Sequence, residues 1–164
     1  MIVSGVPPQA ASGKLHFEEA FHKAPVDLST LASGKPVVLM FEQKACAACD
    51  ELHLDILQRE AVRQSFDQFD VVLLDLWSKE KITSFDGAET TVGQLAASLG
   101  VQYAPSLLFF VDSNEVFRTE AYLKAFHTHG ALDYVLSGAY SEQPEFQRFL
   151  QDRRADFEAR GLST

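Results

Sequence analysis

The only two cysteines of this 164-residue chain lie in one short stretch, KACAACDEL, at residues 44 to 52. Cys46 and Cys49 are separated by two residues. Cysteines at this spacing form a redox-active dithiol, half of a zinc site, or a disulfide that staples a short loop. The pair is therefore the first candidate for chemistry in this sequence.

A zinc site and a structural staple are the weaker explanations of the pair. Structural zinc usually takes two separated pairs of Cys or His ligands, and the chain has no second Cys pair. His127 and His129 are separated by one residue, whereas about three to five is usual in zinc sites. A disulfide across so short a loop constrains the unfolded chain little. We therefore favour reversible thiol chemistry and expect no metal.

The hydrophobic pattern places the two cysteines between a strand and a helix. PVVLMFE, residues 36 to 42, is a continuous apolar run rich in β-formers, which predicts a buried central strand. Apolar residues at helical spacing then predict one helix over 46–66. The unpaired N–H groups and partial positive charge of a helix N-terminus favour a thiolate on Cys46. Cys49 lies one turn later, within reach of Cys46.

The rest of the chain alternates between helix and strand signals. Further helices are predicted over 15–24, 92–101, 125–138 and 141–161. Further strands are predicted over 69–77, 103–112 and 116–122. A turn capped by Asp27 precedes the first strand, and the polar segment 78–91 predicts a loop with a short hairpin. Phe146, Phe149 and Leu150 give the last helix an apolar anchoring face.

This order of elements resembles the thioredoxin fold. The resemblance is carried by PVVLMFEQKACAACDEL, FDVVLLDL and LGVQYAPSLLFFVDSNEVFR. In detail the chain is most similar to the SoxW-type thioredoxins, relatives of the periplasmic thiol:disulfide interchange proteins, over about residues 14 to 150. The resemblance implies a three-layer α/β fold, in which a mixed sheet of about four or five strands is flanked by helices and an extra helix follows at the C-terminus.

The resemblance also implies the role of four residues. Cys46 matches the exposed nucleophile and Cys49 the buried resolving thiol, so that Cys46 attacks a partner's disulfide and Cys49 then releases the partner. Pro105 matches the proline that is cis in this fold and faces the cysteines. Ala104 would offer its backbone to an extended partner peptide. The implied activity is thiol:disulfide exchange, in the reductive direction, with no cofactor beyond the Cys46–Cys49 disulfide.

Two other activities stay open at this point. The same dithiol serves a disulfide oxidase or isomerase, and the Ala-Ala dipeptide between the cysteines carries no group from which the direction follows. A non-enzymatic binding module of the same fold would instead use the groove around Pro105.

The sequence departs from the familiar motif Trp-Cys-Gly-Pro-Cys-Lys, since it has Ala-Cys-Ala-Ala-Cys-Asp. The tryptophan is replaced by Ala45, which we expect to leave the site more open. The acidic residue that the family places six positions before the first cysteine is Met40 here. Glu42 shares a strand face with Met40 and is a candidate substitute, unless it is a solvated residue at the strand end.

Three further residues are candidate modulators of the thiols. Lys44 would favour a thiolate and Asp50 would oppose it. His53 follows Cys49 by four residues on the predicted helix, so it either modulates the thiols or lies exposed at the helix edge.

The composition limits the partners and the compartment. A formal charge of −9 and a pI near 4.9 argue against nucleic acid. No apolar run reaches the ~18 residues of a membrane span. We expect a flexible leader at 1–13 and one domain over 14–164, acting as a monomer on protein dithiols and disulfides, with a membrane thiol reductant as one candidate electron source. No signal peptide is recognisable. The resemblance implies the periplasm, with the targeting segment absent from this chain, and the cytoplasm is the alternative.

Overall fold

A computed structural model describes residues 14–120 and 123–162 of the chain. The strands are β1 Val37–Glu42, β2 Asp70–Asp75, β3 Lys81–Thr83, β4 Glu89–Thr91, β5 Ser106–Val111 and β6 Asn114–Thr119. The helices are α1 Ala47–Leu54, α2 Glu60–Phe66, α3 Val92–Ser98, α4 Ala125–Leu136, α5 Ala139–Glu142 and α6 Phe146–Ala159. Short 3₁₀ turns lie at Leu28–Leu31 and Ile56–Gln58.

The central sheet has four strands in the order β2-β1-β5-β6. β1 pairs in parallel with β2 and antiparallel with β5, and β5 pairs antiparallel with β6. Helices flank this mixed sheet, and α6 follows as the C-terminal helix, so the predicted fold class is confirmed. The predicted hairpin is also confirmed, as the separate pair β3–β4.

The inner position of β1 follows from its composition. All six of its residues are buried, as a strand covered on both faces requires. Val38 and Met40 belong to the core that includes residues of α1, α2 and α4. Leu39 and Phe41 belong to the core that includes residues of α3 and β3. The alternation of side chains along β1 therefore fills two cores with one strand.

The single helix predicted over 46–66 is wrong in one respect, because it is divided into α1, the 3₁₀ turn Ile56–Gln58 and α2. Arg59, before α2, has an extended backbone. Ile56 and Leu57 are adjacent and both are buried. The backbone leaves the helical conformation at Asp55, whose φ is −121° and ψ −68°, and helix resumes only after Arg59, so the turn between them buries both Ile56 and Leu57.

The helix predicted over 15–24 is wrong. The segment pairs instead with the outer edge of β2: the N–H of His22 donates to the carbonyl of Val71 at 2.8 Å, and the N–H of Leu73 donates to the carbonyl of His22 at 3.1 Å. These bonds satisfy backbone groups at the sheet edge, and this long-range pairing outweighs the local helical spacing. The predicted cap is present, since a carboxylate oxygen of Asp27 accepts the N–H of Ser29 at 3.0 Å.

The C-terminal helix begins later than predicted, at Phe146. Pro144 restricts the residue before it to extended backbone, so the helix begins after the proline. Phe146 packs on Phe117 with ring centroids 4.6 Å apart, and Leu150 is buried, so the apolar face anchors α6. The predicted leader 1–13 and the end of the predicted strand at 121–122 lie outside the described residues.

Within 14–120 and 123–162, no helix is both long and apolar enough to cross a membrane.

Candidate functional site

Cys46 and Cys49 form a disulfide where β1 leads into α1. Cys46 is the N-cap residue of α1, and its sulfur accepts the N–H of Cys49 at 3.1 Å. Both cysteines are buried, Cys49 more deeply than Cys46, so the expectation of an exposed Cys46 is wrong in the oxidised chain. Their position at the helix N-terminus agrees with the sequence prediction, and it provides the electrostatic environment that favours a thiolate.

The turn between β1 and Cys46 presents its side chains to solvent. Lys44 and Ala45 are both exposed, and Ala45 has a φ of 54°, in the left-handed region. Lys44 and Trp77 both line a groove of about 1180 Å³. Trp77 is 73% exposed, and its indole N–H donates to the side-chain oxygen of Gln43 at 2.9 Å. Trp77 thus supplies an aromatic ring beside the turn. It follows β2, and nothing in its local sequence connects it to the cysteines.

Ala104 and Pro105 precede β5, and Ala104 lies against the disulfide. Ala104 packs against the cluster formed by Cys46, Ala48 and Cys49. The Ala104–Pro105 peptide bond is cis, and β5 begins at the next residue. The fold therefore brings together residues that are more than 50 positions apart in the sequence.

Glu42 at the end of β1 and His53 on α1 form a buried pair. Nε2 of His53 is 2.7 Å from Oε2 of Glu42. Glu42 is 0% exposed and His53 is 2% exposed, so the alternatives of a solvated strand end and an exposed histidine are wrong. His53 follows Cys49 by four residues on α1, so the two side chains are neighbours on one helix face. The pair therefore lies close to the more buried sulfur.

Asp50 and His16 form a second acid–base pair at the same place. Nε2 of His16 contacts Oδ1 of Asp50. The ring of His16 stacks on the ring of His53, with centroids 5.1 Å apart and planes at 21°. His16 has no local signal that connects it to the cysteines, because it is 34 positions from Asp50 and lies in a segment whose spacing predicted a helix.

The site is bordered by a further ion pair. Nη1 of Arg63 on α2 donates to a carboxylate oxygen of Glu18 at 3.0 Å. This hydrogen bond lowers the pKa of Glu18, partial burial raises it, and the charges of Arg63 and His53 lower it further. Glu18 is therefore an anion at neutral pH, near the two stacked rings.

In the part of the chain that the structure describes, no group of three or more His, Cys, Asp or Glu side chains is arranged to hold a metal ion.

Comparison with known proteins gives a family and a fold. The family model described as "Thioredoxin-like domain" matches residues 29–136. A search of curated protein sequences found no significant match.

Three solved structures are similar to this chain. A thioredoxin-fold protein from Helicobacter pylori has a TM-score of 0.59 at 14% identity and covers 76% of this chain and 83% of its own. A thioredoxin from Thermus thermophilus has a TM-score of 0.56 at 18% identity, with coverages of 76% and 94%. A structure of a ferredoxin:thioredoxin reductase and thioredoxin f2 complex has a TM-score of 0.50 at 14% identity, with coverages of 73% and 94%. At these identities the likeness shows the fold alone.

A fold of this type with a disulfide-capable Cys-x-x-Cys pair supports thiol:disulfide exchange in general.

Proposed function

The chain belongs to the thioredoxin-like domain family, and from this premise we propose that it is a thiol:disulfide oxidoreductase that reduces disulfides in partner proteins. One observation carries the proposal: the Cys46–Cys49 disulfide lies at the N-terminus of α1 and in contact with Ala104. A dithiol at a helix N-terminus is activated for exchange, and a neighbouring backbone segment can hold the peptide that reacts with it.

The reaction requires no group beyond the two cysteines and a partner. The thiolate of Cys46 attacks a sulfur of the partner's disulfide, a mixed disulfide forms, and the partner's other sulfur leaves with the electron pair and takes a proton. Cys49 loses its proton and attacks Cys46, so the Cys46–Cys49 disulfide forms and the partner leaves as a dithiol. The chain loses two electrons and the proton of Cys49, and the partner gains two electrons and two protons, the second proton coming from solvent. A second protein dithiol reduces the chain again by the reverse steps.

The buried pair Glu42–His53 is proposed to receive the proton of Cys49. The resolving thiol is itself buried, so it has little access to water as a base. His53 is its neighbour on α1, and Glu42 stabilises the protonated ring at 2.7 Å. The family's acidic residue would stand at position 40, where this chain has Met40. Glu42, two residues later on the same strand face, takes its place in this proposal.

Ala104 and Pro105 are proposed to hold the partner's extended chain against Cys46. Lys44 is proposed to favour the thiolate of Cys46 from the exposed turn, and Asp50 acts as described below. No bound cofactor is needed, because the electrons come from another protein dithiol.

We further propose that the chain is a SoxW-type protein of the bacterial periplasm. It acts as a monomer, and a membrane thiol reductant returns its disulfide to the dithiol. The support is the resemblance of the segments around Cys46 and Pro105, together with the extra C-terminal helix. Fractionation of bacteria that express the protein from its native gene tests the compartment. Recovery in the cytoplasm would contradict this assignment but not the exchange activity.

The test of the activity uses a protein with a native disulfide, dithiothreitol as electron donor, and two single variants. Wild type should accelerate reduction of the substrate. Cys46→Ser should abolish the acceleration, since the nucleophile is lost. Cys49→Ser should also lose most of the turnover. When it is reduced, freed of dithiothreitol and then mixed with the substrate, it should accumulate a mixed disulfide visible on a non-reducing gel, because Cys46 still attacks and no thiol resolves the adduct.

The direction is tested by equilibration in graded dithiothreitol or glutathione buffers. A reduction potential near about −270 mV supports a reductase, and a value near about −120 mV would mark a donor of disulfides and overturn the direction. A wild-type protein that neither turns over nor traps the substrate would leave the binding-module alternative as the better explanation.

A further inference from the structure

The buried Glu42–His53 pair has a charge problem that the proposed function does not solve. Neither side chain reaches solvent. When Cys49 gives its proton to this pair, the charge of a closed site changes by one unit, and the reverse step removes that unit. Such a change is unfavourable in a poorly solvated interior unless a neighbouring charge changes with it. A neighbour in contact with both the pair and solvent is therefore needed.

His16 has both properties. Its ring stacks on that of His53, with centroids 5.1 Å apart. Its side chain is 21% exposed, so of the two stacked rings only His16 has substantial access to water. Asp50 contacts Nε2 of His16 and fixes the ring in this orientation. Two cationic rings this close oppose each other, so a proton on His53 favours loss of a proton from His16.

We propose that His16, held by Asp50, is a positioning residue for proton transfer at Cys49, and that it releases a proton to solvent when the buried pair takes one from Cys49. In the reverse step, His16 takes up a proton from solvent as the buried pair returns one to Cys49. The inference rests on the proposed function and adds a path for charge compensation to it. The bonds and electrons of the exchange reaction stay as described above. The proton that Cys49 loses to the buried pair is balanced by a proton that leaves the chain through His16.

The charged surroundings of the two rings come from several elements. Glu42 is on β1, and Asp50 and the buried Glu51 are on α1. Arg63 on α2 holds Glu18 of the N-terminal segment, and the charge of His53 acts on Glu18. Lys14 lies two residues before His16 in the same segment. The set contains more acids than bases, since Glu42, Asp50, Glu51 and Glu18 outnumber Arg63 and Lys14.

The chain offers a matched control in a second His–Asp pair. Nε2 of His22 is 3.4 Å from Oδ1 of Asp70, and both side chains are more exposed than those of His16 and Asp50. His22 precedes β2 and contacts that strand through its backbone, which a substitution retains. His22→Gln therefore removes a comparable surface histidine without touching the stacked rings.

The test separates the two thiol steps. Reduced protein is mixed with 5,5′-dithiobis(2-nitrobenzoic acid) in a stopped-flow instrument, and release of the coloured thiolate is followed from pH 5.5 to 8.5. The first equivalent reports the attack of Cys46 on the reagent. The second reports the attack of Cys49 on the resulting mixed disulfide, which requires deprotonation of Cys49.

His16→Gln keeps a donor for Asp50 but cannot titrate. It should slow the second phase about tenfold near neutral pH and flatten the pH profile of that phase, whereas the first phase should change by less than about twofold. Imidazole added to His16→Ala should restore part of the lost rate, since a free base can enter the partly exposed position. His22→Gln should match wild type in both phases at every pH.

A second phase in His16→Gln with the rate and pH profile of His22→Gln would overturn the inference. Asp50→Asn keeps both histidines and is the second variant, in case His16→Gln does not fold. It should also slow the second phase, and an unchanged second phase would again overturn the inference. Wild type that releases no second equivalent would instead contradict the proposed function, so the two failures are distinguishable.

Discussion

Ala45 shows how a single residue is held in an unfavourable conformation beside the disulfide. Its φ of 54° lies in the left-handed region, where an L-residue with a Cβ atom costs about 1–2 kcal/mol. The residue connects the end of β1 to Cys46, the N-cap of α1. The backbone is therefore strained where it directs the nucleophile, as is common at functional sites.

Ala45→Gly should raise the free energy of unfolding of the oxidised protein. Glycine removes the left-handed penalty but adds about 0.5–1 kcal/mol of entropy cost, so a net gain of about 0.5–1 kcal/mol is expected. Urea unfolding measures the change. Ala47→Gly, two residues later in the first turn of α1, is the control and should lower stability, because helical backbone gives glycine no advantage. Loss of stability in both variants would contradict strain at Ala45.

At the scale of elements, α6 packs closely on α4 at Gly130. A Cβ atom at Gly130 would lie 2.6 Å from Cδ2 of Leu150. The absence of a side chain on Gly130 thus makes room for Leu150, which is 4% exposed. Tyr134, one helical turn after Gly130, packs on Phe149 with ring centroids 4.8 Å apart. These contacts hold the C-terminal helix, which the redox reaction itself does not use.

Leu150→Ala should lower the free energy of unfolding by about 2–4 kcal/mol, because the side chain leaves a cavity that Gly130 cannot fill. Chemical denaturation measures the loss. Leu54→Ala is the matched control at a residue 62% exposed near the end of α1, and it should change stability by less than about 0.5 kcal/mol. A loss below about 1 kcal/mol for Leu150→Ala would show that α6 is docked more loosely than the contact implies.

At the scale of the whole molecule, the balance of buried and charged groups sets the pH range of stability. The chain carries a formal charge of −9, and its exposed ion pairs, such as Arg59–Asp55 and Arg160–Asp156, each contribute little. His129 on α4 is a clearer case. Burial lowers its pKa below the ordinary 6.5, the charge of Asp133 raises it, and the charge of Arg153 lowers it. The folded chain therefore binds a proton at His129 less readily than the unfolded chain does.

This depressed pKa predicts a loss of stability as the pH falls below 6.5. In that range the unfolded chain binds a proton at His129 and the folded chain does not, so acid favours unfolding. His129→Gln should show a smaller loss of unfolding free energy between pH 7.5 and 5.5 than wild type does, measured by urea unfolding at each pH. Between pH 7.5 and 8.5 the ring is neutral in both states, and the two slopes should coincide. Equal slopes below pH 7.5 would contradict the prediction.

Part of the fold and site could be predicted from sequence because the signals are local. The continuous apolar run of β1, the helical spacing after Cys46 and the Ala-Pro before β5 each need only neighbouring residues to be recognised. Cys46 and Cys49 were singled out in this way, whereas Pro105 was implied by the resemblance to the thioredoxin fold. The N-terminal helix was wrong because backbone pairing with β2, about 50 residues away, outweighed a local pattern.

The sequence by itself determined the thiol pair, its place between a strand and a helix, and the α/β class, since these depend on periodicity and spacing. Only the tertiary structure decided that Glu42 is buried against His53 and that His16 and Asp50 join them. Burial depends on what covers a side chain, and here the cover comes from segments distant in sequence. Two acids and two histidines therefore became one acid–base cluster, buried except at His16, only when the chain folded.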